Sequence, residues 1–212
     1  MSGADWATVA SLATAITTLV LAFATFASVR AGYRTARAAE AALQASLRPL
    51  LGPSRLDDPD QKVGFADDHW VRLPGSGGAA DLTEQAIYFA TSLRNSGNGI
   101  AVLHGWTFTV ERVMGNPSHS RLEDFRRLTR DIYIAAGDIG FWQGALRDAA
   151  APEFATAREA IEARRRIMVE LLYGDLDGGQ RTISLFSLAP RDDGGWLVSV
   201  ARHWNLDRAD PR

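Results

Sequence analysis

The sequence predicts a mainly β chain in which an N-terminal transmembrane helix and a helical stalk precede an antiparallel β-sandwich with a helical insertion. Three observations predict it. No charged side chain occurs from Trp6 to Val29. Helical, alanine-rich composition then persists to Leu47, and beyond Pro49 the pattern turns to apolar–polar alternation broken by Gly- and Asp-rich joints. The expected organisation is an anchor at 1–29, a juxtamembrane stalk at 30–48 and a sandwich at 49–212. With 46% hydrophobic and 23% charged residues among 212, the composition is that of a globular chain and excludes wholesale disorder. The absence of cysteine excludes disulfides, thiolate metal sites and a cysteine nucleophile. A net charge of −2 argues against a nucleic-acid binder, which would carry a strongly basic surface. Lys62 is the single lysine among 23 basic residues, and with abundant Ala this reads as the codon bias of a high-GC bacterium.

The uncharged segment would measure roughly 36 Å as a helix, against about 30 Å for a bilayer core. Trp6 and Tyr33 stand about 40 Å apart on that helix, the separation of the two membrane interfaces where amphipathic aromatics settle. Arg30, Arg34, Arg37 and Arg48 all follow the segment and no basic residue precedes it. The positive-inside rule then places the N-terminus outside and the bulk of the chain in the cytoplasm, on a bacterial inner membrane. A cleaved signal peptide would want a basic start, whereas Asp5 lies there. Within the span, Ala10, Thr14, Thr18 and Ala22 recur every four residues. Small residues at that spacing admit a second helix at close range, so a helix-packing face for a membrane-protein partner or a second copy is expected there.

In the stalk, Arg30, Arg34 and Arg37 share one helical face with membrane lipid as their expected neighbour. Pro49 disfavours helix at Arg48 and ends the stalk.

The alternation predicts strands at Ala86–Leu93, Trp106–Val113, Ile132–Ala135, Ile167–Tyr173, Arg181–Leu188 and Trp196–Leu206, with a short strand in His69–Leu73. In the last long strand, Trp196, Val198, Val200 and Trp204 are placed on one face, interrupted by Arg202. Asp177-Gly178-Gly179, Asp192–Gly195 and Asn95–Gly99 supply residues tolerant of positive φ and read as joints between antiparallel strands. Arg121–Arg130 and Pro152–Arg166 read as helical or loop-like, the second with Pro suited to a first helical turn. Together these predict a two-sheet sandwich of Ig-like type.

Ser92-Leu93-Arg94-Asn95-Ser96-Gly97-Asn98-Gly99-Ile100-Ala101 resembles the N-x-G-x-G-x-A turn of uncharacterised bacterial single-pass membrane proteins. These combine an anchor helix, a short stalk ending near S-L-R-P and an Ig-like sandwich. The stalk here ends in Ser46-Leu47-Arg48-Pro49. The resemblance implies an anchored domain and brings no catalytic residues.

His69, His104, His119 and His203 are scattered without metal spacing, and no G-x-S-x-G elbow, phosphate loop or dinucleotide fingerprint occurs. Asp175–Gly179 lacks the later ligands of a calcium loop and reads as a hairpin. Arg164–Arg166 reads as a basic end to the second helix. No catalytic, metal or cofactor site is expected. Phe141 and Trp142, between Gly140 and Gly144, read as a loop pair able to make a partner contact. The function expected is that of a membrane-anchored scaffold or accessory subunit, not an enzyme, whose cytoplasmic sandwich makes protein–protein contacts within a larger membrane complex. The alternative is a sensor or effector binding a small ligand through the sandwich.

Overall fold

The computed structural model describes residues 3–110 and 118–208. It divides into two compact units, one ending at Ser46 and one beginning at Leu47. The first is a single helix, α1 (Gly3–Ser46), running unbroken through Arg30. It is long and apolar enough to cross a membrane. Leu12, Leu19, Phe23 and Phe26 are exposed along it. Its hydroxyls turn back on the helix: Thr14, Thr17, Thr18 and Thr25 donate to the carbonyls four residues earlier at 2.8–2.9 Å. Polar side chains thereby satisfy themselves within an apolar helix.

The second unit contains β1 (Leu51–Pro53), β2 (Gln61–Gly64), β3 (Trp70–Leu73), β4 (Gly77–Leu82), β5 (Ile87–Asn95), β6 (Ala101–Val110), β7 (Arg126–Ile134), β8 (Ile139–Leu146), α2 (Pro152–Glu162), β9 (Ile167–Gly174), β10 (Arg181–Pro190) and β11 (Trp196–Asn205). All pairings are antiparallel. One large sheet runs β1-β5-β4-β11-β10-β9-β6-β7, with β8 on the other edge of β5. The chain is therefore mainly β behind an apolar N-terminal helix, and the sheet folds over a shared core in a sandwich-like manner. Phe89, Leu93, Trp106, Trp142, Val169, Phe186 and Trp196 belong to that core. The helix α2 adds Phe154, Ala157 and Ala160 from its apolar stripe. A separate hairpin, β2–β3, lays Val63, Val71 and Leu73 over Tyr88 and Ala90 on the outer face of β5. That cover explains why β5 is buried on both faces and not on one alone.

Several expectations are corrected. Residues 126–130, read as helical or loop-like, are strand, and only Leu122–Asp124 form a helical turn. Phe141 and Trp142 lie within β8, which the alternation did not reveal because Gly140 and Gly144 leave blanks in its apolar face. Asn95–Gly99 joins β5 to β6, which do not pair with each other, so it is a crossing between parts of the sheet and not a hairpin. The strand expected at 106–113 begins earlier, at Ala101, and its residues 111–113 lie outside the described residues. Trp204 does not share a face with Trp196. Leu185 pairs with Arg202 and Phe186 with Val200, so Ala201 is an extra residue that reverses the alternation. Trp196 and Val198 enter the main core, while Trp204 packs with Met168, Leu172, Ile183 and Leu185 on the opposite face.

Two core polar atoms have no partner among the described residues, Thr91 Oγ1 and Trp142 Nε1, and their residues are cross-strand neighbours. A buried hydroxyl without a hydrogen bond costs about 1–3 kcal/mol. Thr91→Val, which keeps the shape, is expected to raise stability by about 1 kcal/mol in chemical denaturation, and a loss would show that the hydroxyl is solvated.

Candidate functional site

The residues selected on α1 fall where the helix period puts them. Trp6, Ala10, Thr14, Thr18 and Ala22 are all exposed. Arg30, Tyr33, Arg34 and Arg37 are brought together with Phe26 and Val29 around a shallow groove of about 340 Å³. Phe141 and Trp142 do not form an exposed pair. Trp142 is 0% exposed, and Phe141 is half-buried beneath the Arg130 guanidinium, 5.3 Å from its ring. Strand alternation sends Trp142 into the main core, so it has no surface to offer a partner.

The segment that leads into the β unit is fastened by a dense set of contacts. Arg48 donates to Asp207 Oδ1 at 3.0 Å and to Asn205 Oδ1 at 3.1 Å, and its second guanidinium nitrogen meets Asp207 Oδ2. Asn95, fully buried, accepts from Leu50 N–H at 3.1 Å and Gly97 N–H at 3.0 Å through Oδ1. Its Nδ2 donates to Gly99 O at 2.7 Å and Ile134 O at 3.0 Å. Ser96 N–H adds a bond to Leu50 O. Gly97 and Gly99 have no room for a side chain: a Cβ would strike the backbone of Arg48 at the first and the Leu47 carbonyl at the second. The glycine-rich turn and the Leu47–Leu50 segment are thus two halves of one clasp. Deeper in, Leu51 N–H donates to Tyr173 OH at 3.2 Å, and that hydroxyl contacts Ser184 Oγ at 2.9 Å. Ser184 Oγ lies 2.6 Å from His203 Nδ1. Ser184 is 0% exposed, so this serine–histidine pair braces the entering strand and is closed to a substrate.

On another face, Asp67, Thr83, Glu84, Ala86, Tyr88 and Arg147 line a cleft of about 540 Å³. Tyr88 OH donates to Asp67 Oδ2 at 2.6 Å, and Arg147 Nε donates to the same oxygen at 3.2 Å. His69 stacks on Tyr88 with ring centroids 4.0 Å apart, and its Nε2 lies 3.3 Å from Asp81. The Tyr88 hydroxyl bond, joined by Arg147, holds the Asp67 carboxyl below its ordinary range against the effect of burial. Burial and the Asp67 partner push the tyrosine up. Asp67 is therefore an anion engaged by two donors. Beyond the His69–Trp70 neighbourhood no local pattern marks this grouping, because its members come from segments far apart in the chain.

Several other charged groups have structural partners. Arg164 donates to the carbonyls of Arg191, Gly194 and Gly195 in the β10–β11 turn and lies 4.8 Å from the Trp196 ring. It caps that turn, not the carbonyl end of its own helix. Partial desolvation lowers the pKa of His104, and the charge of Arg181 adds to the effect. Among the described residues, no three of His, Asp and Glu converge on a metal-sized site.

No protein-family profile and no curated protein matches the chain. Among solved structures, a β-glucosidase from Kluyveromyces marxianus is similar over 60% of this chain and 14% of its own, at 15% identity and a TM-score of 0.24. A likeness of that size carries no argument about either fold or activity.

The clasp has a direct test. Gly99→Ala forces the Leu47 carbonyl aside and is expected to cost about 1–3 kcal/mol in denaturation of the full chain in detergent. Gly52→Ala, where a Cβ meets nothing within 4 Å, should stay within about 0.5 kcal/mol of the parent. Similar losses in both would dismiss the clasp.

The carboxylates predict an acid limb. Arg94 bonds Asp58 and lowers its pKa, Tyr88 does the same for Asp67, and at Asp207 burial is outweighed by the Arg48 bond and charge together with backbone hydrogen bonds. Depressed carboxylates contribute stability above their unfolded pKa of about 3.9, and it is lost as pH falls through the folded values. Stability should therefore drop below about pH 4, and replacing the three with Asn should flatten that limb in unfolding curves taken across pH.

Proposed function

We propose that the chain is a membrane-anchored interaction module, a scaffold or accessory subunit whose β unit works at the cytoplasmic face of a bacterial inner membrane. The observation that carries this reading is the clasp. It fixes the chain immediately beyond an apolar helix to the β unit through Asn95, Arg48 and two glycines. A passive tether needs no such fastening, since a flexible linker anchors equally well. The exposed apolar side chains of α1 and the basic groove at Arg30, Arg34 and Arg37 support insertion with the N-terminus outside. The small-residue row Ala10, Thr14, Thr18 and Ala22 offers a packing face to a membrane partner or a second copy. The contacts that define the assembly are then made by the β unit.

A second reading is favoured by the 540 Å³ cleft beside Tyr88 and Arg147, large enough for a small molecule. In that reading the β unit is a sensor and α1 carries its response. The cleft is open and polar, and its central carboxylate is already engaged, so the interaction module is preferred.

Topology is the decisive measurement. The chain has no cysteine, so single cysteines at Ser2 and at Asp192, exposed in the β10–β11 turn, report unambiguously. In intact cells an impermeant maleimide is expected to label position 2 and to spare position 192 until the membrane is opened. Labelling of position 192 from outside would overturn the cytoplasmic placement.

A further inference from the structure

We propose that the open seam between β7 and β8 receives an acidic, extended polypeptide segment as an additional strand, an inference that rests on reading the β unit as an interaction module. These two strands are consecutive and joined by residues 135–138, an arrangement that ordinarily closes as a hairpin. They do not pair. Among the described residues β8 is bonded to β5 alone and β7 to β6 alone, so the two ends of the large sheet approach each other with edges that no described strand covers. They touch near the connection, where Gly140 accommodates the Ile134 side chain, and again where Arg130 Nη2 donates to Gln143 Oε1 at 2.8 Å. Farther along, Arg126–Thr129 and Gln143–Ala145 line a cleft of about 90 Å³, to which Trp106, Arg147 and, from the β2–β3 turn, Phe65 and Ala66 also contribute.

The reason for the opening lies in register. Gly105 pairs with Arg127 and Leu103 with Ile132, so residues 128–131 stand opposite His104 alone and leave the ladder. Their backbone groups pair with no strand among the described residues. Trp106 fills the space behind them, packed against Gly144, with Arg126 5.5 Å from its ring. A side chain at 144 would strike that indole, so this position of β8 requires glycine.

Free edges recognise extended backbone, and the side chains around them select its sequence. Arg126 and Arg147 already pair with Glu153 and Asp67. Arg127 and Arg130 are exposed and have no carboxylate partner among the described residues. The Arg127 guanidinium, and the donors that Arg130 does not spend on Gln143, stand beside unpaired backbone and call for carboxylates on a strand. The competing role for such arginines is to guard an edge against self-association, and it predicts no peptide binding.

The test uses the full chain in detergent and a fluorescein-labelled peptide of about ten alternating Glu and Val residues, read by anisotropy. The expected result is saturable binding, weakened roughly tenfold or more by Arg127→Glu with Arg130→Glu and by exchange of the peptide's Glu for Lys. A Glu–Val peptide interrupted by proline keeps its charge but loses backbone donors, and it should bind at least about tenfold more weakly. Absence of saturable binding up to about 1 mM would overturn the proposal. Equal binding by the proline peptide would also overturn it, by showing that charge suffices without a strand. Self-association of the double variant without any peptide binding by the parent chain would assign the arginines to edge protection instead. Failure of the peptide with cytoplasmic topology intact sinks the seam alone; peptide binding with inverted topology sinks the membrane placement alone.

Discussion

The carboxamide of Asn95 is the point on which the β unit's entry depends. A buried amide can accept two hydrogen bonds and donate two, and this one makes all four. Its partners are the backbone of the entering chain, both sides of the glycine turn and the last residue of β7. One side chain therefore fixes where the chain arrives, how β5 turns into β6 and where β7 stops. Apolar substitution there would leave four backbone groups to find new partners in a buried place, which is why this contact is more consequential than any surface ion pair.

Around that point the fold manages a single sheet with too many strands for one flat layer. It bends the sheet over a core of aromatic residues, seals its outer face at β5 with the β2–β3 hairpin and adds α2 to the core. Bulges do the bending. The extra residue at Ala201 turns Trp204 to the other side of β11, and the excursion at 128–131 carries β7 away from β6. Each bulge trades ladder bonds for curvature. The second leaves backbone exposed beside arginines, and so the same distortion that shapes the sheet creates its open seam.

The chemistry of the surface follows from that architecture more than from any motif. Tyr88, Asp67, Arg147 and His69 meet because the β2–β3 hairpin and the end of β8 both reach β5. The serine–histidine–tyrosine chain under β1 is closed by its own burial. What in a list of residues resembles catalytic equipment is here bracing, and the accessible polar groups are mainly arginines with structural partners.

The sequence by itself determined the long N-terminal helix and much of the secondary structure that follows it. The uncharged run from Trp6 and the alanine-rich continuation require one long helix, because helix propensity and hydropathy are local properties. The alternation in Ile87–Leu93 and Trp106–Val110, the two Asp-Gly joints of the β9–β10 and β10–β11 hairpins and Pro152 at the start of α2 were legible for the same reason. The strand β8 was not, since two glycines demanded by Ile134 and by the indoles of Trp106 and Trp142 erase its period. Nor was the burial of Trp142, or the reversal at Ala201, because a one-residue bulge is invisible until strands are paired. The tertiary structure alone decided that Leu47–Leu50 and Asn95–Gly99 form one clasp. Those segments are nearly fifty residues apart, and only close backbone packing between them explains why both glycines must lack a side chain.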